Sequence, residues 1–72
     1  MERKEAIALV GRQVRIVNAW GNPTAFRVVL ARYDTSRRSF TTRNLHTGIE
    51  SPLSSEDLAT GLARNTLILE RR

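Results

Sequence analysis

The residues in this sequence best equipped for chemistry are arginines. Residues 11–45 hold Arg12, Arg15, Arg27, Arg32, Arg37, Arg38 and Arg43 against Asp34 alone, a local excess of +6 in a chain of formal net charge +5. The first ten residues balance Arg3 and Lys4 against Glu2 and Glu5, and residues 46–72 lean acidic. A positive field confined to the middle of a chain draws polyanions, acidic proteins or anionic lipid surfaces. Eleven of the twelve basic residues are Arg, whose planar fork matches phosphate and guanine as an ammonium does not. A genomic codon preference would give the same count without any site.

Other reactive side chains are scattered. His46 is the only histidine and sits beside Thr47-Gly48, in a turn. Asp34 opens the polar run Asp34-Thr35-Ser36-Arg37-Arg38, where its carboxylate suits nearby backbone amides. Glu56 and Asp57 fall where a helix begins, and the helix dipole accounts for them. No Ser-His-acid set, metal-ligand spacing or phosphate loop is present. The sequence therefore predicts no catalytic residues, no metal, no cofactor and no enzyme.

The 72 residues, 40% of them hydrophobic, leave room for one domain over residues 1–72. Cysteine is absent, so neither a disulfide nor a thiolate metal site can staple so small a core. A homo-oligomer or a bound partner is the remaining source of added stability. No segment nears the roughly 20 apolar residues of a membrane span. The five apolar residues before Gly11 are too few for a signal-peptide core. The reading is a cytoplasmic protein without a membrane partner.

Residues 2–10 are rich in helix formers and stop at Gly11. Residues 13–51 then read as a β meander. Val14 and Ile16 alternate with polar neighbours; Trp20-Gly21-Asn22-Pro23 turns the chain; a longer strand covers 24–33, a third 39–45 and a short fourth 49–51, ended by Pro52. Ser54 with Asp57, flanked by Leu53 and Leu58, marks the start of a helix over 55–64. Gly61 weakens this helix, and Asn65 can end it in a left-handed conformation. Residues 66–69 form a last strand, and Glu70-Arg71-Arg72 a tail. The class is α+β: a small, strongly bent antiparallel sheet or SH3/Sm-like partial barrel, with an N-terminal helix and a C-terminal helix followed by a short last strand. Gly11-x-x-Val14-x-Ile16 resembles the opening of the KOW motif of such barrels. The motif's later glycine has no counterpart, and no family is assigned.

Strand alternation links the arginines. With Val14, Ile16, Phe26, Val28, Leu30, Phe40 and Thr42 toward the core, the opposite face carries Arg15, Val17, Arg27, Val29, Tyr33, Thr41 and Arg43. The simplest register sets Leu30 opposite Phe40, Val28 opposite Thr42 and Arg27 opposite Arg43. Like charges so opposed destabilise a sheet unless the side chains splay or an anion joins them. The functional expectation is a small basic nucleic-acid-binding protein, a regulator or accessory factor. Arg15, Arg27 and Arg43 would form a platform, Arg12, Arg37 and Arg38 would reach phosphates, and Tyr33 would stack on bases. DNA and RNA are both open. The competing reading is a solvated face whose long side chains cover Val17 and Val29. The alternative function is a non-enzymatic adaptor or inhibitor docking on an acidic partner with Trp20 as anchor. For Trp20 itself the favoured position is folded back as a lid over the core.

Overall fold

The computed structural model describes residues 1–70; the Arg71-Arg72 end of the expected tail lies outside them. Helix α1 (Arg3–Leu9) leads through a turn into β1 (Gln13–Val17), β2 (Pro23–Asp34), β3 (Ser39–Asn44) and β4 (Glu50–Ser54), then α2 (Ser55–Ala63) and β5 (Leu67–Leu69). The five strands form one antiparallel sheet in the order β4-β3-β2-β1-β5. Edge strands β4 and β5 do not pair with each other, so the sheet is open. Helix α2 joins these two edges and packs against both.

The local signals act as their chemistry dictates. The Asp57 backbone N–H donates to Ser54 Oγ, and Leu58 is fully buried with Leu53 packed beside it. Asn65 takes the left-handed conformation at φ 60° and turns the chain into β5. The fourth strand does not stop at Pro52. It runs on to Ser54, because β4 is an edge strand, where a residue without an N–H is tolerated.

The β2–β3 register differs from the simplest one. Leu30 faces Thr42, Val28 faces Asn44 and Val29 faces Arg43, whereas Tyr33 faces Phe40 and Asp34 faces Ser39. The Asp34 carboxylate accepts from the Ser36 and Arg37 amides, and Arg38 adopts φ 51°. This longer loop slides the pairing by two residues. A two-residue slide keeps every side chain on its face, so the expected core face survives while the partners change. A bulge between Leu30 and Arg32 then reverses the alternation. Tyr33 moves to the inner face, its ring tilted on Phe40 at a centroid distance of 4.7 Å. Arg32 takes the outer face in its place.

Ala6, Val14, Leu30, Phe40 and Leu58 form the buried core. The two helices thus cover one half of the inner face. The other half is open: Ile16, Phe26, Val28, Ile49, Leu53 and Leu67 help to line an apolar groove of about 480 Å³. Phe26 is on the expected face but 46% exposed. Trp20 is 84% exposed, standing at the β1–β2 tip rather than folding over the core.

Candidate anion-binding face

The outer face of the sheet collects the arginines. Arg15 on β1 pairs directly with Arg27 on β2. Arg43 on β3 faces Val29 on one side and Glu50 on the other. Arg12 precedes β1 and lies at the sheet edge beyond β5, where its guanidinium donates to the Glu70 backbone carbonyl at 2.7 Å. The like-charged cross-strand pair is therefore Arg15 with Arg27, and not Arg27 with Arg43.

Two carboxylates temper this charge. Glu70 forms an ion pair with Arg15 and stands 3.9 Å from Arg27 Nε. That Nε is buried and has no hydrogen-bond partner among the described residues. Glu50 bridges Arg32 and Arg43, each at 3.2 Å. Hydrogen bonds from Arg32 first and Arg43 second, with the attraction of both charges, hold the Glu50 carboxyl below the usual glutamate range. The anion that the Arg15–Arg27 pair demands is thus partly supplied from within. Four arginines against two glutamates still leave the face positive.

Arg37 and Arg38 are exposed in the β2–β3 loop, with Asp34 3.9 Å from Arg37. The Arg38 carbonyl accepts from the Ser55 amide at the start of α2, so this loop lies beside α2 rather than above the sheet platform. The structure brings together Arg15, Arg27 and Arg43, holds Arg12 at the sheet edge on the Glu70 carbonyl, sets Arg37 and Arg38 apart, and excludes Tyr33, which lies half-buried against the core on the opposite face. Arg32, Glu50 and Glu70 join the face without belonging to the expected set. The bulge that recruits Arg32 has no strong sequence signal. Glu50 is legible as the one charge beside a strand start next to arginine-bearing β3. Trp20 belongs to the far end of the molecule. His46 Nε2 lies 3.3 Å from the Ala25 carbonyl, and its ring meets Phe26.

No protein-family model, curated protein or solved structure matches the chain.

Proposed function

We propose that the protein binds nucleic acid through its outer sheet face, as a small cytoplasmic regulator or accessory factor. The carrying observation is the arrangement of Arg15, Arg27, Arg32 and Arg43 on one face, with Arg12 at its edge and only Glu50 and Glu70 among the described residues to balance them. Arg37 and Arg38 extend the positive field toward α2. With Tyr33 on the inner face, the platform offers guanidinium groups and no aromatic ring for stacking. Phosphate contact therefore dominates, and binding is steep in salt and weak in sequence preference. The strand order, with α2 across the gap between β4 and β5, supports reading the fold as a partial barrel of the SH3/Sm-like kind.

Fluorescence anisotropy with single-stranded DNA, duplex DNA and RNA over a salt series tests the reading. Arg27→Gln with Arg43→Gln removes two phosphate contacts. It should lower the log–log salt slope by about 1.4 to 1.8 and weaken binding at low salt by about tenfold or more. Unchanged affinity in the double variant, or no binding to any probe at low salt, sinks the proposal. An acidic protein would be drawn to the same face, and a complex that survives nuclease treatment would identify that partner class instead.

A further inference from the structure

The two β-hairpins at one end of the sheet carry no ionisable side chain except His46. Residues 16–26 and 44–49 contain no Lys, Arg, Asp or Glu, in a chain where such residues are 26% of the total. The antiparallel register brings these stretches together. The Leu45 amide donates to the Arg27 carbonyl, and the Phe26 and His46 rings lie tilted to each other at a centroid distance of 6.4 Å. The groove opens between them and is lined by uncharged residues throughout. The α2–β5 turn with Arg64 borders this end through the Thr66 carbonyl, which accepts from the Val17 amide.

Trp20 stands in a preformed turn at the β1–β2 tip, on the hairpin whose Ile16 and Phe26 line the groove. Asn18 Oδ1 accepts from the Trp20 and Asn22 amides, both at 3.0 Å, and Gly21 adopts φ 79°. An exposed aromatic on a hydrogen-bonded turn costs little backbone ordering on docking. The same end exposes Ile49 to 68% and Phe26 to 46%. Depletion of charge around aromatic anchors is the composition of an interface core.

We infer that this end is a homodimer interface, in which Trp20 of each copy enters the other's groove. An uncharged patch offers nothing to phosphate or to an acidic protein. It does, however, let two copies of a +5 chain meet without opposing charges. Knob and hole also lie on the same hairpin, since Trp20 falls between Ile16 and Phe26. One continuous patch that carries both parts is what a closed two-fold contact requires. The arginine-bearing outer faces stay free in such a dimer.

Sedimentation velocity on nuclease-treated protein across a wide concentration range tests this, with Trp20 emission read in parallel. Twice the chain mass at high concentration is expected, with emission shifting blue as the dimer forms. Higher salt should tighten the dimer by screening like charge, the reverse of its effect on nucleic-acid binding. Trp20→Ala and Ile49→Lys both alter exposed side chains, and circular dichroism checks their folding. Each should raise the dissociation constant by about tenfold or more. A protein that stays monomeric throughout overturns the inference, as does a dimer that survives either substitution. Growth beyond the dimer overturns the two-fold arrangement. A monomer whose Trp20 emission shifts only with neutral phosphatidylcholine vesicles overturns it in favour of a lipid surface.

Discussion

The chain's two phenylalanines sit on the same inner face, on neighbouring strands of one sheet, and meet opposite fates. Phe40 is 1% exposed, enclosed by Tyr33, Leu30 and the helices that bring Ala6 and Leu58. Phe26 is 46% exposed at the lip of an open groove. Alternation decides which face a strand residue occupies. Cover is decided by elements elsewhere in the chain, and two short helices reach only half of this sheet. The uncovered half coincides with the uncharged end, which is the surface the proposed dimer would cover.

Substituting the two rings measures that difference directly. Phe40→Ala should cost about 3 to 5 kcal/mol, comparable with the whole stability of a domain this small, and the variant should be largely unfolded at room temperature. Phe26→Ala should cost about 1 kcal/mol or less when read at concentrations that keep the chain monomeric. Urea unfolding followed by circular dichroism checks both. Equal losses at the two positions would break the contrast between a covered and an open half.

The helix that makes the covered half depends on a missing side chain. A Cβ at Gly61 would lie 2.5 Å from Leu67 Cδ1 and 2.7 Å from its Cγ. Helix propensity alone predicts that Gly61→Ala gains about 1 kcal/mol. Overpacking against β5 costs about 1 to 3 kcal/mol, and the expected net result is a less stable protein with a lower Tm. A higher Tm would mean that α2 has room to spare above β5 and that the covered half is loosely packed.

Much of this arrangement is legible in the sequence. The order of elements follows from period changes, the Ser54 cap and the left-handed Asn65. The inner face is readable from Val14, Val28, Leu30 and Phe40. The register is not, because it rests on how Asp34 and Arg38 shape a loop, and a two-residue slide leaves the alternation unchanged. The bulge beside Ala31 reverses the alternation, but no glycine or proline marks it in the sequence. It exchanges Tyr33 for Arg32 on the outer face and so removes the one aromatic ring from the expected platform. The arginine cluster is visible in the sequence, and so is Glu50 beside β3, but Glu70 is not, since it meets Arg15 and Arg27 from beyond the last strand. The strongest missed signal is negative: two stretches without charge that only the hairpin pairing brings side by side.

The smallest expected effect concerns what holds β4 behind the open groove, where Ser51, Pro52 and Leu53 line the inner side. On the outer side Glu50 ties this strand to Arg43 on β3 and Arg32 on β2. Its carboxyl is held below the usual glutamate range by those two partners. A group with a lowered folded-state pKa contributes stability above its unfolded value and loses it as pH falls through the folded one. Wild type should therefore melt slightly above Glu50→Gln near neutral pH, and the two should converge once acid has protonated Glu50. The pair is exposed, so the difference should be small and should shrink with salt. The same substitution frees Arg32 and Arg43 for phosphate, so nucleic-acid affinity should rise as stability falls. A variant that loses stability without gaining affinity would make the outer face a device for holding the open half together, with the arginines committed to Glu50 rather than to a ligand.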